Sequence, residues 1–264
     1  MKKIVFIMFS SLFFCFATAQ SKDSIHFYKM YHDVPVKYKL EHFGLQGNVK
    51  SFYELTLPEN EDNEKIIHEF DDKGNLIQVK NGFGFVSQKF NYDKRGKLIS
   101  YTTSAKKMRD FQVTLNEDEN VVQLVTNNKE YGMVTVVNEY NKNGYWTKQS
   151  RLEDKSTLQE NKYSNDLKLT ENIVFNNNII SERTHFDYNF FTDFVQIKLT
   201  YKYEDTESVS YIYSDYFGNP IFGFPFEEGN VTDSQIKEVL NNFKVDSHNN
   251  WIKNQEITRV IDYY

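Results

Sequence analysis

The sequence predicts an all-β fold: one extended antiparallel β-sheet of repeated hairpins, with one short C-terminal amphipathic helix. Three observations predict it. An eight-residue turn unit recurs along most of the 264 residues. Between its copies, apolar residues alternate with polar ones at period two. A helical period of apolar residues stands out once, near the C-terminus.

The unit is clearest at Tyr92-Asp93-Lys94-Arg95-Gly96-Lys97-Leu98-Ile99. Asp93 and Gly96 sit three apart, as at the first and fourth positions of a type I turn. The Asp carboxylate can accept the backbone N–H groups that follow it. Gly96 can take positive φ without a Cβ clash and close a hairpin with a bulge. The same form recurs from Phe70 through Asp71 and Gly74 to Ile77, and from Tyr140 through Asn141 and Gly144 to Trp146. Weaker copies run from Leu115 to Val121 and from Tyr163 to Leu169, where Glu119 and Leu167 replace the Gly. A late copy, Val245 to Trp251, has Asn249 there, and Asn is the usual non-Gly residue tolerated in that conformation. Successive starts at 70, 92, 115, 140 and 163 lie 22 to 25 residues apart, the mark of a repeat architecture. Second turns fall between them at 81–84, 104–107, 127–130 and 153–156, so each repeat is a hairpin.

In chain order, Lys2 and Lys3 precede an apolar run from Ile4 to Phe16. Ala17-Thr18-Ala19 then offers small residues before Gln20, which completes a secretory signal peptide over 1–19. The run is too short for a comfortable transmembrane helix. The rival, a lipoprotein signal at Cys15, meets a bulky Phe14 where a small residue belongs. Cleavage between Ala19 and Gln20 is the expected outcome. Mass spectrometry of the exported protein should find a chain starting at Gln20, and a lipid-modified Cys15 would contradict it. The mature chain is then 20–264, a single β-repeat domain without cysteine. It has 29 basic against 37 acidic side chains, a net charge of −8 that suits neither nucleic acid nor anionic lipid.

Residues 21–47 are aromatic and mixed in charge and are expected to pack over the first hairpin. Hairpin repeats follow over about 49–222. The cleanest alternation sets Val195, Ile197, Leu199, Tyr201 and Tyr203 against Gln196, Lys198, Thr200 and Lys202, a strand with one wet face. Thr232 to Gln235 reads as a capping box. Ile236, Val239, Leu240 and Phe243 then form one apolar stripe, so a helix is expected over about 232–244. A final strand is expected over about 251–261.

The Tyr-Asp-x-x-Gly-x-Leu copies resemble YD repeats, the β-hairpin units of bacterial cell-surface and toxin-shell proteins. The run Gly44-Leu45-Gln46-Gly47-Asn48-Val49-Lys50-Ser51 is similar to that of small secreted YD-repeat-like proteins of Gram-negative bacteria. The resemblance covers about 44–180. It implies a β-sheet scaffold of the YD or MORN type, a meander or open solenoid, and brings no catalytic residues.

No local motif names a reaction. The histidines at 26, 32, 42, 68, 185 and 248 form no HxxxH or HExxH pair, so no metal or cofactor is signalled. No Gly-x-Ser-x-Gly elbow exists, and the acidic residues gather in turns. Two carboxylates brought together in space would suffice for a glycosidase, which spacing in the chain does not exclude. Asn230-Val231-Thr232 fits a glycosylation sequon, but helix capping explains Thr232 better. Tyr145, Trp146 and Trp251 follow turns. They are candidates for stacking on a sugar, against the plainer reading of cross-strand packing. The expectation is an exported, non-catalytic protein that binds a glycan or another envelope protein in the periplasm, at the outer surface or outside the cell. The alternatives are a secreted carbohydrate-active hydrolase and an immunity-type protein that blocks a partner.

Overall fold

The computed structural model describes residues 34–56, 65–104, 109–128, 132–165, 168–190, 195–203, 206–214, 220–224, 241, 243–253 and 257–264. Among them the fold is one antiparallel sheet of 18 strands. In chain order these are β1 (Val49–Thr56), β2 (Ile66–Phe70), β3 (Leu76–Asn81), β4 (Val86–Tyr92), β5 (Leu98–Thr103) and β6 (Arg109–Leu115). Then come β7 (Val121–Asn128), β8 (Gly132–Tyr140), β9 (Trp146–Arg151), β10 (Thr157–Tyr163), β11 (Leu169–Asn176) and β12 (Ile179–Phe190). The last are β13 (Val195–Tyr203), β14 (Thr206–Ser214), β15 (Pro220–Phe224), β16 (Lys244–Val245), β17 (Trp251–Lys253) and β18 (Ile257–Tyr263). From β1 to β15 each strand pairs with the next, a pure meander. β16, β17 and β18 add to the other side, where β18 pairs with β1 from Val49↔Tyr263 to Thr56↔Ile257. First and last strands are thus neighbours.

The repeat turns share one geometry. In the first, Gly74 N donates to Asp71 O (3.0 Å) and Asp71 N to Asn75 O (2.9 Å). Asp71 Oδ1 accepts from the backbone N of Lys73 and Asn75, at 2.9 and 2.8 Å. Asp93 does the same for Arg95 and Lys97, Asn141 for Asn143 and Tyr145, and Asp246 for His248 and Asn250. Gly74, Gly96 and Gly144 have φ of +80°, +82° and +80°. In the copies without Gly, Glu119 (+61°) and Asn249 (+62°) adopt the same conformation. A register shift follows each turn, as at Phe70↔Leu76 and Tyr92↔Leu98, which is the bulge that type I hairpins require.

The glycines differ in their surroundings. A Cβ on Gly74 would lie 2.8 Å from Leu40 Cδ1, whereas one on Gly96 would meet only Asn75 Nδ2 at 3.9 Å. Gly96→Ala is therefore expected to cost about 1–2 kcal/mol from backbone strain alone. Gly74→Ala should cost clearly more, because Leu40 must also move. Denaturant midpoints of the two variants check the order.

The residue two beyond each turn glycine position is the anchor of its repeat: Leu76, Leu98, Val121, Trp146 and Trp251 are all buried, as is Leu169. In four of these repeats the anchor's carbonyl, next to the bulge, is taken up by a tyrosine further along the chain. Tyr92 donates its hydroxyl to Leu76 O (2.7 Å), Tyr140 to Val121 O (2.8 Å), Tyr163 to Trp146 O (2.9 Å) and Tyr188 to Leu169 O (2.8 Å). Asn138 and Asn161 reinforce two of these with Nδ2 bonds to the same carbonyls, at 2.9 and 3.2 Å. The motif tyrosine thus ties repeat to repeat. Tyr92→Phe should cost about 0.5–1.5 kcal/mol, the net worth of one such bond, with the ring left packed. An unchanged unfolding midpoint would contradict that role.

The N-terminal segment fills the inside of the first repeats. A 3-10 turn, Leu40–Phe43, ends on Gly44 with φ +65°. Tyr38 O accepts from Leu76 N (2.8 Å), and the Tyr38 hydroxyl donates to Glu119 O (2.5 Å). Lys39 forms an ion pair with Glu119. The turns at 71–75 and 116–120 are four strands apart, ~19 Å in a flat sheet. One tyrosine cannot span that distance, so the sheet curls around Tyr38 at this end. Val36, Tyr38 and Leu45 join Phe52, Phe70, Leu76, Val79, Phe90, Leu98, Val121 and Leu124 in one core. Packing of this segment over the first hairpin, expected from sequence, is what the described part of it does.

Two expectations need correction or fall outside. The single strand expected at 251–261 is two: Lys253 pairs with Thr258, so the chain reverses between β17 and β18. Trp251, Ile257 and Ile261 share odd parity, which made the two read as one. The helix expected over 232–244 lies outside the described residues save Asn241, which is helical, Phe243, and Lys244, which already pairs in β16. The signal peptide, with Ala17, Ala19, Gln20 and Cys15, also lies outside them. No helix among the described residues is long and apolar enough to cross a membrane, which says nothing of a β-barrel.

Candidate functional site

A row of side chains runs across five strands on the inward face. Register places them: Arg259 (β18) faces Glu54 (β1), Phe52 (β1) faces His68 (β2), His68 faces Val79 (β3), and Val79 faces Gln88 (β4). Lys37, His42, Phe43 and Gly44 lie over this row and leave a half-open cavity of about 610 Å³. A second hollow of about 290 Å³ shares Lys37, Phe43, His68, Val79 and Gln88 with it.

Arg259 is the most unusual member, an arginine only 8% exposed. Its Nε and Nη2 donate to Glu54 Oε1 at 3.1 and 2.6 Å. The Trp251 ring lies 3.9 Å from the guanidinium carbon and the Phe52 ring 5.1 Å, both cation–π distances. Nη1 is buried and has no hydrogen-bond partner among the described residues. Burial pulls the Arg259 pKa down and Glu54 pushes it up, with a net lowering; an arginine stays charged regardless.

His68 stacks on Phe52, with ring centroids 4.6 Å apart and planes 11° from parallel. Phe43 closes on it at 5.1 Å. Burial holds its imidazole down at about 4, Arg259 and Lys37 add to that, and Glu54 opposes it. His68 is thus neutral at pH 7. Among the described residues the cavity wall carries one carboxylate, Glu54, and it is committed to Arg259. No cluster of three or more His, Cys, Asp or Glu among the described residues could hold a metal.

The three rings considered for stacking lie elsewhere than expected. Trp146 and Trp251 are 4% and 3% exposed, so neither presents a face to a sugar, and that expectation is corrected. Both occupy the anchor position of their repeat, where the side chain points inward. Trp146 Nε1 donates to Lys148 O at 3.0 Å. Tyr145 is half-buried and stacked on Tyr163 at 5.5 Å. The turn residues Asp71, Gly74, Asp93, Gly96, Asn141 and Gly144 close the hairpins and are not among the residues that line the cavity. None of the three rings lines the cavity; Trp251 touches one residue that does, Arg259.

Sequence reasoning passed over Lys37, Glu54, His68 and Arg259. A signal existed for three of them. Ile66-x-His68-x-Phe70, Phe52-x-Glu54 and Ile257-x-Arg259-x-Ile261 each put an ionisable residue in phase with apolar ones. On an alternating strand that phase is the buried face. A different polar cluster is fully engaged: buried Glu171 contacts Lys162 (2.5 Å), Arg183 (3.4 Å) and His185 (3.5 Å) across β10, β11 and β12.

No protein-family model matches the chain, and no curated protein does. Among solved structures, it is similar to a porin-like protein from Bacteroides uniformis ATCC 8492. The identity is 10%, over 65% of this chain and 98% of that one, with a TM-score of 0.30. We draw neither fold nor function from a likeness of that size.

Proposed function

We propose that this is an exported, non-catalytic β-repeat protein that binds a glycan or another envelope protein. The carrying observation is the cavity over β18, β1, β2, β3 and β4, with aromatic and hydrogen-bonding side chains side by side. Aromatic walls with a few fixed polar groups are the usual make-up of a ligand site. Hydrolysis of a glycosidic bond ordinarily needs two carboxylates in distinct protonation states. The described wall supplies one, neutralised by Arg259. That favours binding over turnover. The signal-peptide reading of residues 1–19 supports an exported location.

A glycan array and a pull-down from envelope fractions, both with the mature chain, test the reading. Saturable binding without release of sugar or peptide fragments is expected. Fragment release abolished by Glu54→Gln would instead make the protein a hydrolase.

A further inference from the structure

We propose that the cavity binds the carboxylate of an acidic sugar, a uronate, between Lys37 and Arg259. This rests on the binding role proposed above and names the chemistry of the ligand. The first support is charge. Among the described residues, Lys37 and Arg259 border the cavity against the single carboxylate of Glu54, which leaves one positive charge in surplus on that part of the wall. An anion is the ligand such a wall attracts.

The second support is the unfinished bonding of Arg259. Two of its nitrogens are fixed on Glu54, and the Trp251 and Phe52 rings lie against the guanidinium carbon at 3.9 and 5.1 Å. The guanidinium fork is therefore held before any ligand arrives. Its remaining nitrogen, Nη1, is buried and lacks an acceptor among the described residues. Buried donors normally find a partner, and a carboxylate oxygen is the acceptor a guanidinium matches best. Lys37, exposed at the rim of the same cavity, supplies the second cation.

The third support separates a sugar acid from an apolar one. Ser87, Gln88 and Glu54 also line the wall. A fatty or aromatic acid would cover these groups without bonding them, which is unfavourable. The hydroxyls of a sugar ring can bond them, and its apolar face can lie on Phe43. A volume of about 610 Å³ accommodates the end of a short oligosaccharide, within the roughly 300–1,000 Å³ of small-molecule sites.

The test uses the mature full chain with four probes: glucuronate, an oligogalacturonate, glucose and acetate. Calorimetry gives affinities, and NMR follows the His68 ring and the Arg259 side-chain N–H signals. Glucuronate or oligogalacturonate should bind at least about tenfold tighter than glucose and acetate, since a charge-assisted pair of bonds is worth that factor. Preference for the oligomer over the monomer would identify the source as a polysaccharide. The His68 and Arg259 signals should shift with uronates alone. Lys37→Gln, an exposed change that leaves the core intact, should weaken uronate binding about tenfold and leave glucose unaffected. Glucose bound as tightly as glucuronate would overturn this inference and leave the binding role standing. So would uronate binding that Lys37→Gln or the two signals do not register. A blank with all probes, with the array and with the pull-down would overturn both.

Discussion

Trp146→Ala is expected to lower stability by about 3–5 kcal/mol, the range for removing a buried large aromatic side chain. Trp146 sits at 4% exposure in the anchor position of its repeat. Its carbonyl accepts the Tyr163 hydroxyl and Asn161 Nδ2, and its indole N–H is satisfied by Lys148 O. Truncation leaves a cavity and loosens the point where two repeats are tied. Its position among β8, β9 and β10 is outside the cavity wall. Chemical unfolding should therefore show a large drop in midpoint. Under conditions where the variant remains folded, ligand affinity should match that of the wild type. A folded variant of normal stability with lost binding would restore the stacking role considered for this ring and refute the anchor role.

That contrast shows what the sequence carried. The turns were legible because their chemistry is local. An Asp or Asn, three steps and a Gly specify the hairpin with no help from elsewhere, and Glu119 and Asn249 show the geometry persisting where Gly is lost. The all-β meander followed from the spacing of those turns. The burial of Trp146 was also available, since it aligns with Leu76 and Leu98, but its aromatic character drew attention away from its phase. The candidate site was harder to see for a different reason. Arg259 and Glu54 are 205 residues apart in the chain, and they meet only because β18 pairs beside β1. Nothing local to either strand specifies that pairing. The roof over the site, from Lys37 to Gly44, has no period to read. It is placed by bonds such as Leu40 N to Gly74 O and Leu76 N to Tyr38 O.

His68 should make the protein sensitive to acid. Its imidazole has a folded pKa of about 4 against an ordinary value of 6.5, chiefly because burial disfavours the charged ring. Around it, Glu54 on β1 opposes the lowering, while Arg259 on β18 and Lys37 on the N-terminal segment reinforce it. A base whose folded pKa is depressed binds its proton more readily when unfolded. Stability from this group is therefore full above pH 6.5 and is lost as pH falls from there towards 4. Each tenfold difference in proton affinity between the folded and unfolded chain is worth about 1.4 kcal/mol, so the loss approaches about 3 kcal/mol, most of it present by about pH 4.5. Carboxylates titrate in the lower part of that window, so the wild type alone cannot isolate the effect. His68→Gln removes the titrating ring while the other groups remain. Its stability should fall less between about pH 7 and pH 4.5 than that of the wild type, by roughly 2–3 kcal/mol. Unfolding curves in denaturant at the two pH values, for both proteins, give that double difference. Parallel losses in the two proteins would mean that His68 is not held neutral by its burial against Phe52 and Phe43.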